Sequence, residues 1–117
     1  MKTILVVEDD PVNQTILSDF LSANDYRIVV ASSGPEGLSG FDREKPHLCL
    51  VDVQLPHQNG LDLVREMKQR IAGTPVLLMS AEPEQPPELR TFADGYLAKP
   101  FDLRVLLEHI HRLIGPS

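Results

Sequence analysis

Cysteine occurs once in these 117 residues, at Cys49, which excludes a disulfide framework within the chain. Its place inside the apolar run LCLVDV makes it a small buried hydrophobe rather than a redox or metal thiol. A reducing compartment is implied, and the expected location is the cytoplasm. No apolar run approaches the ~20 residues of a membrane span, and the opening MKTILVVEDD turns acidic too soon for a signal peptide. Positive charge is also scarce: 11 Lys and Arg stand against 17 Asp and Glu, a formal net charge of −6, with no basic stripe along any segment. That balance disfavours direct contact with nucleic acid, and without a membrane-length run no membrane partner is expected. Repeats and low-complexity tracts are missing, and the length has room for one core but not two. A single domain over residues 1–117 is the expectation.

What the chain does have is four short apolar runs that each end in a polar residue: ILVVEDD at 4–10, LCLVD at 48–52, VLLMS at 76–80 and YLAKP at 96–100. Such runs alternate with stretches of helical period, which reads as βαβα and so as a parallel sheet with helices on both faces. Strands are expected near 3–8, 26–31, 48–52, 75–80 and 95–98. A first helix should begin after Asp10, a good N-cap, with Pro11 at its first position and Val12, Ile16, Leu17, Phe20 and Leu21 on its buried face. It should end near Asn24. Ser33 and Pro35 open a second helix that buries Leu38 and Phe41. Gly60 opens a third, with Leu61, Val64, Met67 and Ile71 in phase until Gly73. The last is capped by Asp102 and carries Leu103, Leu106, Leu107, Ile110 and Ile114 as one stripe.

The segment AEPEQPPELR at 81–90 breaks the pattern. Pro83, Pro86 and Pro87 each remove a donor and disfavour helical geometry in the preceding residue. A helix in this connection must start at about Pro86 or Pro87 and be short or partly irregular. Parallel strands need a crossover of only about a dozen residues, so the topology survives.

In a parallel sheet the residue after each strand sits at the carboxyl edge, where open α/β folds hold their ligands. Glu8, Asp9, Asp10, Asp52, Ser80 and Lys99 then converge on one crevice. Two carboxylates at ~4 Å and an effective dielectric of ~20 repel by roughly 4 kcal/mol, so the cluster needs protons or a cation. Magnesium suits it, since it takes oxygen ligands and joins one or two carboxylates to a phosphate. Asp10 is accounted for as a helix cap. Ser80 and Lys99, a hydroxyl and an ammonium, suit an oxyanion. Lys99 precedes Pro100, where a turn in the chain aims the ammonium back over the sheet edge. The histidines are given ordinary roles: His109 and His111 do not share a helix face, His47 is a surface residue, and His57 lies in a solvated loop.

VVEDD, LVDVQLPHQNG, LLMSA and GYLAKPF, in this order and at these distances, resemble the receiver domain of bacterial response regulators, over essentially the whole chain. The resemblance implies a flavodoxin-like (βα)5 doubly wound sheet of strand order 2-1-3-4-5. It also implies Asp52 as phosphoacceptor, Glu8 and Asp9 as the acidic pair, and Gln54 as a backbone carbonyl ligand to Mg2+. Ser80 becomes the switch hydroxyl, Lys99 the lysine of the site and Tyr96 the switch aromatic. Two departures stand out: Leu55 replaces the usual methionine, and the stretch between Ser80 and Lys99 is a few residues short. DDPVNQ, with Asn13, is similar to receivers fused to hybrid kinases. The implied function is transfer of a phosphoryl group from a phosphohistidine to Asp52, with output through a protein contact. The implied partners are a sensor histidine kinase or histidine phosphotransfer protein and a downstream protein target, and self-catalysed phosphorylation and dephosphorylation replace conventional enzyme turnover. Two rivals remain at this point: an interaction module that works without phosphorylation, and a Mg2+-dependent phosphatase with an aspartate nucleophile. The phosphatase class usually places a second aspartate two residues on, where this chain has Gln54.

Overall fold

The computed structural model describes residues 1–55, 58–70, 73–81 and 93–116. Five strands form one sheet: β1 (Thr3–Val7), β2 (Arg27–Ala31), β3 (Leu48–Asp52), β4 (Val76–Ser80) and β5 (Gly95–Ala98). Every neighbouring pair is parallel, and the order across the sheet is 2-1-3-4-5. Four helices are described: α1 (Pro11–Ala23), α2 (Gly34–Glu44), α3 (Gly60–Arg70) and α4 (Leu103–Ile114). The short or irregular helix expected between β4 and β5 lies outside the described residues, as do Pro83, Pro86, Pro87, His57, Ile71 and the side chain of Leu61.

Continuous apolar runs suit the three central strands because both faces of the sheet are covered. Side chains alternate between faces. Leu5 and Val7 of β1 join Cys49, Val51, Val76 and Leu78 in a core under α2 and α3, with Phe41, Leu63, Val64 and Met67. Ile4 and Val6 join Leu48, Leu50, Leu77 and Met79 in a second core under α1 and α4, with Leu17, Leu21, Leu106 and Ile110. Each such side chain, fully buried, contributes about 1.5–3 kcal/mol of transfer free energy.

The caps fall where the sequence puts them. Asp10 accepts from the Val12 N–H at 2.9 Å and Asp102 from the Arg104 N–H at 2.7 Å, while Ser33 caps α2. Helix α1 departs from the expected stripe: Leu17 and Leu21 are buried, but Val12 is 65% and Ile16 46% exposed. Its first turns lie at the carboxyl edge, where Val12 and Ile16 find no core to pack on. Helix α2 departs too, burying Gly34, Gly37 and Gly40 along with Phe41, while Leu38 is only half-buried. A Cβ on Gly37 would stand 3.0 Å from Val7 Cγ2, so the glycines let this helix lie close on β1. His47 is exposed, yet its Nδ1 accepts the Thr3 N–H at 3.0 Å and ties β3 to β1. The far end of α4 is held as well, since Tyr26 Oη donates to the Gly115 carbonyl at 2.8 Å and Lys2 Nζ to that of Ile114.

Candidate functional site

Strands β1, β3 and β4 end side by side, so the residues leaving them share one edge. Glu8 follows β1 and its N–H still bonds the Ala31 carbonyl at 3.0 Å, which extends the ladder and pulls the side chain under cover. Asp52 is the last residue of β3, paired with Met79. Carboxylate oxygens of Glu8, Asp9 and Asp52 lie within 4.8 Å of one another. Glu8 and Asp52 are buried, at 1% and 3% exposure, and Asp9 is exposed. The trio therefore has a dry floor and an open side.

Lys99 reaches this cluster from the loop after β5. Its N–H bonds the Ser80 carbonyl at 2.7 Å and the Lys99–Pro100 peptide is cis. Its Nζ donates to Asp52 Oδ2 at 2.7 Å and lies 3.5 Å from Glu8 Oε1. Asp52 Oδ1 accepts the Gln54 N–H at 2.8 Å. Burial by itself would raise the Asp52 carboxyl, but the adjoining Glu8, Lys99 and the Gln54 N–H outweigh it and hold Asp52 below its ordinary value. Lys99 is partly buried, which works against its charge, and the Asp52 and Glu8 carboxylates more than offset that. Glu8 moves the other way: burial first, and then the neighbouring Asp52 carboxylate, push it up to about 7. One group of the pair is built to stay ionised beside the ammonium, and the other holds a proton more readily than an ordinary glutamate.

Ser80 is wholly buried at the end of β4 and pairs with Ala98 across the ladder. Tyr96 on the edge strand β5 is half-buried and packs against the core under α2 and α3. Gln54 is exposed and opens a two-residue antiparallel pairing with Asn59 just after Asp52. Asp10 points to the helix it caps rather than to the trio. The structure thus brings Glu8, Asp9, Asp52 and Lys99 together, sets Ser80 and Gln54 on the flanking segments, and places Tyr96 one strand away.

Two residues at the site carried no chemical role in the sequence. Asn13 Nδ2 donates to Glu8 Oε1 at 2.8 Å, and Gln14 Nε2 donates to the Glu8 carbonyl and, at 2.9 Å, to Ser32 Oγ. The signal available was their position in the first turn of a helix whose cap directly follows the acidic pair. A cleft of about 370 Å3 opens beside them, lined by the polar side chains of Asn13 and Lys99 and by Ile16, Met79 and Phe101 among its apolar walls.

The donor set fits a hard divalent cation. Three carboxylates converge, and Glu8 Oε2 is a buried oxygen with no hydrogen-bond partner, an arrangement that costs free energy unless a proton or cation meets it. Cys49, buried in the core and pushed up to about 12 by desolvation, plays no part in it. No helix of the described residues is long and apolar enough to cross a membrane.

Comparison with known proteins gives a consistent set of likenesses. The family profile described as response regulator receiver domain matches residues 4–111. The alkaline phosphatase synthesis transcriptional regulatory protein PhoP of Bacillus subtilis is 35% identical over 99% of this chain and 50% of its own length. The regulatory protein VanRB of Enterococcus faecalis is 32% identical over 100% of this chain and 54% of its own. The chain thus spans about half the length of these relatives. Among solved structures, the response regulator TrrA of Thermotoga maritima, in complex with Mg2+-BeF, superposes with a TM-score of 0.90 at 29% identity, covering 97% of this chain and 99% of that one. The receiver domain of a sensor histidine kinase of Pseudomonas aeruginosa, with magnesium coordinated in its active-site cleft, gives 0.89 at 30% identity, covering 97% and 98%.

Proposed function

Since this chain belongs to the response regulator receiver domain family, we propose that it is a phosphoacceptor in two-component signalling, taking a phosphoryl group onto Asp52 from a phosphohistidine. The observation that carries this reading is the 2.7 Å pairing of Lys99 Nζ with Asp52 Oδ2 inside a trio of carboxylates. An Asp52 oxygen attacks phosphorus, the P–N bond to the donor imidazole breaks, and the imidazole leaves with its electron pair and takes up a proton. Little covalent chemistry is asked of the protein; positioning and charge balance do most of the work.

Each neighbour has a part in that balance. Lys99 gives up its pairing with Asp52 to meet a phosphoryl oxygen, and the Ser80 hydroxyl donates to another. Glu8, Asp9, Asp52 and the Gln54 carbonyl are the ligands we assign to Mg2+. When bound, that ion offsets charge on the phosphoryl oxygens. Tyr96, packed on the core beside β4, is the aromatic we assign to the response. The partners are a sensor histidine kinase or histidine phosphotransfer protein and a downstream protein target. The net charge of −6 argues that this stretch does not itself touch nucleic acid, and cytoplasm is the compartment proposed. The segment is read as a single receiver domain.

The test is phosphorylation by acetyl phosphate, followed by intact mass. With Mg2+ the protein should gain one phosphoryl group, and with chelator none. Asp52→Asn should abolish the gain, and undiminished labelling of that variant overturns the assignment.

A further inference from the structure

We propose that Asn13 is a positioning residue for Glu8: it holds one carboxylate oxygen so that the other remains available, within the acidic trio, to a divalent cation. The inference rests on the magnesium-dependent reading above and adds a residue to it. Glu8 is one methylene longer than an aspartate, so its carboxylate has an additional torsion to settle and loses more rotamer freedom when ordered. Something must choose its orientation. Lys99 is poorly placed to do so, being committed to Asp52 at 2.7 Å and standing 3.5 Å from Glu8 Oε1. Asn13 Nδ2 is the close donor, 2.8 Å from that same oxygen. With Oε1 engaged, Oε2 is left buried and without a hydrogen-bond partner.

The helix start makes this possible. Asp10 is the N-cap and Pro11 follows at the first helical position, so Asn13 is the third residue of the helix. Side chains at that position reach back toward the chain that precedes the helix, as the glutamate of a capping box does. Here the reach extends to Glu8. Gln14 takes the Glu8 carbonyl, so adjacent amides of α1 hold the main chain and the side chain of one residue. An amide suits the task because it donates without adding positive charge, which would oppose a cation at the trio. Asn13 also borders the open cleft, so a substitution there leaves both cores untouched.

Loss of a hydrogen-bonding partner behind a metal ligand typically weakens metal binding about 10–100-fold. Mg2+ titration calorimetry on the full chain, with melting temperatures taken in chelator, tests the proposal. Asn13→Ala should weaken Mg2+ binding about tenfold while the metal-free protein still unfolds in one cooperative transition, at a melting temperature lowered only by the loss of one hydrogen bond. Asn13→Ser, too short to reach Glu8, should lose as much, and it serves if the alanine variant fails to fold. In a Glu8→Asp background the shorter carboxylate no longer meets Asn13, so the same substitutions should have no further effect. Wild-type affinity in both variants, or an equal loss in both backgrounds, overturns the positioning role and leaves the phosphoacceptor reading intact. If the wild-type protein takes up no Mg2+, both fall.

Discussion

Glu8 is 1% exposed and is pushed up to about 7 by burial and by Asp52, so near neutral pH the metal-free side chain holds a proton part of the time. A cation at the trio must displace that proton. Mg2+ affinity should therefore fall as pH drops from about 8 to about 6, with a fraction of a proton released per ion bound that grows toward one at the acid end of that range. Calorimetry in buffers of different ionisation enthalpy reads that release, and an affinity flat across this range would contradict it. The same group affects the fold with a definite sign. In the unfolded chain it titrates near the ordinary 4.5, and in the folded metal-free protein near 7. The folded state binds the extra proton, so this contribution stabilises at low pH and is lost as pH rises through 7. Asp52, held below its ordinary value, contributes oppositely: its share is present at neutral pH and lost on acidification.

Helix α2 carries its packing in what it lacks. Gly37 and Gly40 would place a Cβ 3.0 Å from Val7 Cγ2 and 3.2 Å from Leu5 Cδ1, and both contacts are to wholly buried side chains of β1. Glycine in a helix interior costs about 1 kcal/mol relative to alanine, so the close approach has to outweigh that. Gly37→Val should cost roughly 2 kcal/mol through overpacking, seen as a lower urea midpoint. Adding Val7→Ala should recover part of the loss, because the two side chains compete for one space. A midpoint unchanged by Gly37→Val would show that α2 can lift off β1 freely. Since Val7 immediately precedes Glu8, the fit of this helix also fixes where the acidic edge lies.

At the scale of the molecule the site and the fold are linked through charge. Two carboxylates of the trio are buried at the ends of two of the three central strands, β1 and β3, and one lysine serves both. A ligand that binds only the folded state stabilises it, by about 2.7 kcal/mol at a hundred times its dissociation constant. Saturating Mg2+ should raise the melting temperature by several degrees over chelator. Glu8→Gln, which removes one buried charge of the trio, should shrink that rise. Equal melting temperatures with Mg2+ and with chelator would mean that the trio binds no cation.

Much of this was legible in the chain itself because it is local. Apolar runs marked the strands, Asp10, Ser33 and Asp102 marked helix starts through their own hydrogen bonds, and the polar residue after each run marked the site. The meeting of Glu8, Asp9, Asp52 and Lys99 follows from strand ends sharing one edge, whereas the order 2-1-3-4-5 was implied by the resemblance to receiver domains and is the order the sheet has. What tertiary structure decided was which side chains have something beneath them and which bonds cross long stretches of chain. Val12 and Ile16 have the period of a buried face, yet they sit where the sheet has ended. His47 looks like a surface residue until β1 lies beside β3 and offers it the Thr3 N–H. Asn13 carries no mark of chemistry until the helix after Asp10 folds back over Glu8. Periodicity and capping are written residue by residue, whereas burial and long-range hydrogen bonds depend on neighbours that only the assembled sheet supplies.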